Sequence, residues 1–186
     1  MKKMLALMMT LALLLCGAAA FAEAQEAAPD VVTYDWDAVK PYLASGAYEG
    51  KFYSYEDPAF TLWIPDILPQ HAMTQEMVGR GIIDCFTDDA DLTFSILVRP
   101  MTFDESVVTA ADLIAVGPEL FEEFSPANIN SVDAVVARQE NTMNVFIPLG
   151  EANFLQLVYD GISDQSRMPY VGISIASIQM TADSVR

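Results

Sequence analysis

Beyond residue 22 the sequence holds one histidine, His71, and one cysteine, Cys85. A structural zinc site takes about four Cys or His ligands, so this chain offers none, and a single histidine excludes the H-E-x-x-H pair. His71 sits in Pro69-Gln-His-Ala-Met73, between two pairs of expected strands. Its chemistry there is that of a lone general base or of a solvated loop histidine. Cys85 has Asp84, Asp88 and Asp89 as sequence neighbours. Carboxylates oppose thiolate formation, so the residue reads as an inert core thiol. The phrases Gly161-Ile-Ser-Asp-Gln and Gly172-Ile-Ser-Ile-Ala lack the last glycine of a nucleophile elbow. No glycine-rich phosphate loop is present. Asp88, Asp89 and Asp91 form the densest small carboxylate cluster. A turn can converge such oxygens on calcium, although the spacing is not that of an EF-hand and also suits a polar hairpin turn. Glu119, Glu122 and Glu123 read as a solvated face. Tyr53, Tyr55 and Trp63 fall at alternating positions of two expected strands. If the face they share is open they form an interaction patch; if it is covered they are core. No residue is assigned a catalytic role, and no cofactor is expected.

The chain has 26 acidic and nine basic residues among 186, a formal charge of −17. Phosphate contacts need clustered Lys and Arg, so nucleic acid is an unfavourable partner. An anionic membrane surface is equally unfavourable. With 53% apolar and 19% charged residues, the chain has the composition of a folded domain rather than of a disordered one.

The first 22 residues read as a secretory signal. Lys2 and Lys3 precede the apolar stretch Met4 to Leu15, and Ala20-Phe21-Ala22 offers a small-x-small cleavage pattern. Cys16 raises the alternative of a lipoprotein, but Leu13-Leu-Leu15 before it fits that peptidase poorly. Cleavage after Ala22 removes two lysines, leaving seven basic residues and a charge of −19. One cysteine then remains, which rules out an intramolecular disulfide.

Residues 23–30 read as a flexible spacer and 31–186 as one domain. Asp35 is placed to cap a helix through Trp36, Val39 and Leu43. Strands are expected over Tyr48–Tyr55 and around Phe60, Leu62 and Ile64, with Glu56-Asp57-Pro58 as their turn. Gly81–Thr87 and Leu92–Arg99 form a second hairpin. A helix is expected to open at Asp104 and Glu105 and to stop at Gly117-Pro118. Glu119–Phe124 reads as one further turn. Val132–Arg138, Asn144–Pro148 and Phe154–Tyr159 are three more strands. Met168, Val171, Ile175 and Ile178 recur at helical spacing within a closing helix over Asp164–Met180. Strands joined by short turns imply an antiparallel sheet, and the helices make the class α+β: a central antiparallel sheet flanked by helices.

This order, with three phrases, resembles the PsbP-like fold shared with the Mog-type Ran-binding proteins. Phe60-Thr-Leu-Trp-Ile-Pro65 is similar to that family's early strand running into a proline. Asn128-Ile-Asn-Ser-Val-Asp-Ala-Val-Val136 is similar to its later turn and Ala-containing strand, and Ser174-Ile-Ala-Ser-Ile-Gln179 to the end of its last helix. The resemblance implies an α/β/α sandwich and a non-catalytic role in binding other proteins. The basic residues with which photosynthetic members dock are largely missing here.

The expectation is therefore a secreted or cell-surface binding module whose partner is another envelope or extracellular protein. A calcium-responsive extracellular protein is the alternative, and a secreted hydrolase using scattered carboxylates the second.

Overall fold

The computed structural model describes residues 31–88, 93–117, 121 and 123–181. The signal segment, the spacer, Asp89, Asp91, Glu119 and Glu122 lie outside the described residues.

Two sheets share one apolar core. The larger has seven strands. In chain order these are β1 (Val32–Tyr34), β4 (Asp84–Thr87), β5 (Ser95–Thr102), β6 (Glu123–Ile129), β7 (Val132–Gln139), β8 (Thr142–Gly150) and β9 (Asn153–Asp160). Their order across the sheet is β1-β6-β7-β8-β9-β5-β4. All pairs are antiparallel except β1 with β6 at one edge. The smaller sheet pairs β2 (Gly50–Glu56) with β3 (Ala59–Pro65) and adds the short β10 (Gln179–Met180) beside β3. Four helices complete the described chain: α1 (Trp36–Ala44), α2 (Gln75–Gly79), α3 (Ala110–Val116) and α4 (Met168–Ala176). The α+β class expected from the sequence is the class found.

Period-two alternation divides the large sheet into two faces. The inner face carries Phe86, Ile96, Val98, Val136, Val145, Leu157 and Tyr159. It packs on Phe60, Leu62 and Ile64 of β3 and on Val171 and Ile175 of α4. The outer face carries Val135, Ala137, Phe146 and Phe154, which pack against Val107, Ala110 and Leu113. α3 thereby lies over β6, β7 and β8.

Several elements differ from the sequence expectation. α3 starts at Ala110, not Asp104. The Asp104 carboxylate is engaged by the N–H and hydroxyl of Ser106, a local turn that competes with a helix start. Thr109 and Asp112 then form a reciprocal capping box. Glu123–Ile129 is a strand, where a turn had been expected to reach Phe124. The closing helix is shorter than Asp164–Met180. Asp164 caps a 3-10 turn at Gln165–Arg167, the helix ends at Ala176, and Gln179 and Met180 pair with Thr61 and Phe60.

Asn130, at φ +50 in the β6–β7 turn, joins three distant segments. Its Oδ1 accepts the Trp36 N–H at 2.8 Å. Its Nδ2 donates to the carbonyls of Ala176 at 2.8 Å and Ile178 at 2.7 Å. Asparagine tolerates the left-handed region better than most residues, which suits it to this place.

Candidate functional site

The antiparallel register decides where the three aromatics go. Tyr53 pairs with Leu62, Tyr55 with Phe60, and Phe52 with Trp63. Directly paired residues share a face, so Trp63 lies on the opposite face from both tyrosines. The expectation of one shared face is corrected by this single step of parity. Tyr53 packs edge-on against Phe86 with centroids 4.6 Å apart, and Tyr55 stacks on Phe60 at 4.4 Å. Both tyrosines are half-buried and pack against the inter-sheet core. Trp63 is 2% exposed, and its indole leaves no room for a Cβ on Gly50.

Between the sheets lies Asp84, whose carboxylate is buried. It accepts from the Tyr55 hydroxyl at 3.0 Å, from Gln70 Nε2 at 2.9 Å and from the Cys85 N–H at 2.9 Å. Neutral donors thus satisfy it. Burial and the adjoining Asp84 charge push the Tyr55 phenol far above its ordinary range. The same two causes raise the Cys85 thiol, in keeping with an unreactive cysteine. His71 Nδ1 lies 2.8 Å from the Ala72 carbonyl. A carbonyl only accepts, so that contact places a proton on Nδ1.

Asp88 closes the base of the β4–β5 hairpin. Its Oδ1 accepts the Phe94 N–H at 2.9 Å, the Thr93 hydroxyl reaches both oxygens, and Arg167 Nη2 lies 3.8 Å from Oδ2. Arg167 also lies over the Phe94 ring at 5.1 Å. Both oxygens of Asp88 are therefore engaged by the protein. Among the described residues no group of three or more Cys, His, Asp or Glu converges on a point.

A cleft of about 720 Å³ opens at one end of the sheets, between Glu56–Ala59, Pro100–Thr102 and the β8–β9 turn. Its carboxylates, Glu56, Asp57 and Glu151, are exposed at its rim.

The outer face beyond α3 is different in kind. Arg99, Gln156 and Phe146 stand in one cross-strand row; Cys85, Leu97, Val158 and Asn144 stand in the next. Cys85, Asn144 and Gln156 are buried, while Leu97, Arg99 and Val158 are half-buried. Gln156 Nε2 donates to Asn144 Oδ1 at 2.9 Å, but Gln156 Oε1 accepts nothing. Arg99 Nε and Ser95 Oγ are likewise buried without a partner. No carboxylate among the described residues pairs with Arg99. Gly81, at φ +77, passes beside the guanidinium; a Cβ built there would stand 3.8 Å from Arg99 Nε. Ile83, 42% exposed, precedes β4 in step with Cys85. The arrangement joins one cationic donor, one neutral acceptor and a short apolar row. It contains no nucleophile paired with a base.

Sequence reasoning passed over Arg99 and Gln156. The available signal was a glutamine in the middle of Phe154-Leu-Gln-Leu-Val158, an otherwise apolar run. A strand buried on both faces reads as such a run, and a polar residue inside it needs a partner.

No protein-family model matches the chain, and no curated protein does. Solved structures similar in backbone include the following two. One is the solution structure of cyanobacterial PsbP (CyanoP) from Synechocystis sp. PCC 6803, with a TM-score of 0.49 and 8% identity over 72% of this chain and 94% of that one. The other is a protein of Bacteroides thetaiotaomicron VPI-5482, with a TM-score of 0.47 and 14% identity over 73% of this chain and 50% of that one.

Proposed function

We propose that this chain is a non-catalytic binding module that acts outside the cytoplasm and takes its ligand on the β4–β5–β9 half of the outer sheet face. The observation that carries the reading is the set of three buried, unpartnered polar atoms there: Gln156 Oε1, Arg99 Nε and Ser95 Oγ. A buried donor or acceptor left unmade costs roughly 1–3 kcal/mol. Two of the three, Gln156 Oε1 and Arg99 Nε, belong to residues paired across β5 and β9, where Leu97, Arg99 and Val158 leave the sheet face half-exposed. The location rests on the leader-like first 22 residues.

The test is thermal unfolding of the N144L/Q156L double variant. Replacing both members of a buried polar pair by apolar groups of similar shape is nearly neutral or stabilising when the pair serves no structural need. The expected transition lies at or above that of the wild type. A lowered transition means that the pair holds the fold, and the binding reading fails. N-terminal sequencing of the protein recovered from the envelope or the medium is expected to begin at Glu23; an intact Met1 there would overturn the leader reading.

A further inference from the structure

We propose that the free edge of β2 takes on an extended basic segment of another protein as an added strand. This edge belongs to the smaller sheet and is separate from the outer face of the larger one.

The two sheets end in four edge strands, β1, β4, β10 and β2. An edge presents unmade main-chain N–H and C=O groups, and proteins shorten or cover such edges. β1 and β10 are short, at three and two residues. β4 is covered by the loop before it: the His71 N–H donates to the Cys85 carbonyl at 2.8 Å, and the Thr87 N–H to the Pro69 carbonyl at 3.1 Å. β2 is neither short nor covered. It runs for seven residues, about 20 Å at ~3.3 Å per residue.

The hydrogen bonds to β3 show which groups of β2 are bare. The Asp66 N–H donates to the Glu49 carbonyl at 3.0 Å, one step beyond the paired strands. In an antiparallel ladder, bonded and non-bonded residue pairs alternate. Lys51, Tyr53 and Tyr55 therefore bond to their partners Ile64, Leu62 and Phe60. The main chains of Phe52, Ser54 and Glu56 point away from β3. The partner strand keeps the same parity: the N–H of Trp63, opposite Phe52, turns away from β2 to Ser177 Oγ at 2.8 Å. Among the described residues no hydrogen bond answers the outward N–H and C=O of Phe52, Ser54 and Glu56. All three residues are exposed, Phe52 by 50%.

Charge selects the occupant. Glu49 stands at one end of the edge and Glu56 and Asp57 at the other, and no described cation pairs with them. Lys51 is engaged by Asp66 at 3.6 Å. Glu56 and Asp57 also line the cleft that Glu151 shares. A segment with Lys or Arg at both ends meets opposite charge at both. A second copy brings its own carboxylates and a charge of −17 to the same place. Between the ends, the exposed half of Phe52, with Trp36 edge-on at 5.6 Å, suits an apolar residue. Added strands take affinity from main-chain bonds and specificity from alternate side chains.

The experiment titrates the purified chain with acetyl-Lys-Thr-Val-Thr-Val-Thr-Lys-amide and follows amide hydrogen exchange by NMR. Binding is expected to slow exchange at Phe52 and Ser54, and to leave Tyr53, already bonded to β3, unchanged. The analogue with Glu in place of both Lys is expected to bind at least about tenfold more weakly at low salt, a gap that closes as salt rises. N-methyl groups on the two valines or on the three threonines block opposite edges of the peptide, so one set is expected to abolish binding and the other to keep it. Ser54→Pro removes an outward N–H and leaves the bonds to β3, a place where a strand tolerates proline; it is expected to abolish binding. E49K/E56K covers the case in which the proline variant does not fold, and is expected to reverse the preference between the two peptides.

No binding of the basic peptide at millimolar concentration overturns the inference, as does equal binding of the basic and acidic peptides, or binding that survives both sets of N-methyl groups alike. Sedimentation as a dimer that Ser54→Pro returns to monomer assigns the edge to a second copy and overturns it as well.

Discussion

The two halves of the outer sheet face belong to one continuous sheet and are finished in opposite ways. Over β6–β8, α3 lays Ala110 and Leu113 on Val135, Ala137 and Phe146, and Phe103 meets Phe146 and Phe154 edge-on at 6.0 and 5.1 Å. On β9 and β5 the next residues in the row of Phe146 are Gln156 and Arg99, each with a polar atom unmade. A strand such as β9 passes from Phe154 to Gln156 in two residues and changes role on the way. The contrast separates residues that hold the fold from residues that the fold merely holds in place.

Four measurements break or sharpen this contrast. The largest effect belongs to the sealed half: Phe146→Ala is expected to destabilise by about 3–5 kcal/mol, read by urea unfolding, because its ring is fully buried and a cavity follows. A loss comparable to that of a surface residue would mean that α3 does not seal this half. Second, Cys85 in the other half is expected to react with iodoacetamide at least about tenfold more slowly than a free peptide thiol, since burial and Asp84 raise its pKa. Peptide-like labelling of the folded protein would contradict its burial. Third, Leu97→Ala is expected to destabilise by about 1 kcal/mol, below the range for fully buried leucine, because Leu97 is only half-buried. A loss matching that of Leu113→Ala would erase the difference between the halves.

The smallest effect concerns acid. Hydrogen bonds from the Thr109 side chain, then from the Thr109 and Val108 backbone, hold the Asp112 carboxyl below its ordinary range. A carboxylate with a depressed folded pKa contributes stability above its unfolded pKa, near ~3.9, and loses it as pH falls through the folded value. The wild type should therefore melt slightly above Asp112→Asn at pH 6 and converge with it in strong acid. A gap that persists at pH 2 would assign the difference to something other than this ionisation.

Much of this architecture was legible in the sequence. The hairpins around Glu56-Asp57-Pro58 and the Asp88 turn follow from alternation punctuated by turn residues, and Asp35 caps α1 as its position implied. What was not legible depends on partners distant in sequence. β1 and β10 are too short to show a period and exist because β6 and β3 supply their hydrogen bonds. β6 contains Pro126 and reads as irregular until β7 pairs with it from Glu123 to Ile129. The faces of Tyr53, Tyr55 and Trp63 turned on a register that no single strand specifies. The Arg99–Gln156 pair was hidden for the same reason: only cross-strand pairing brings two unremarkable polar residues side by side.

The clasp at Asn130 has a consequence for how the chain is made. One side chain bonds to Trp36, Ala176 and Ile178, so it cannot finish its bonding until residue 178 has emerged from the ribosome. β1 waits in the same way for β6, whose register places Val32 opposite Ala127. The earliest part of the domain is thus fastened by one of the last, and contacts so distant in sequence slow folding. During synthesis this keeps the leading segment unfastened while the rest of the chain is still emerging.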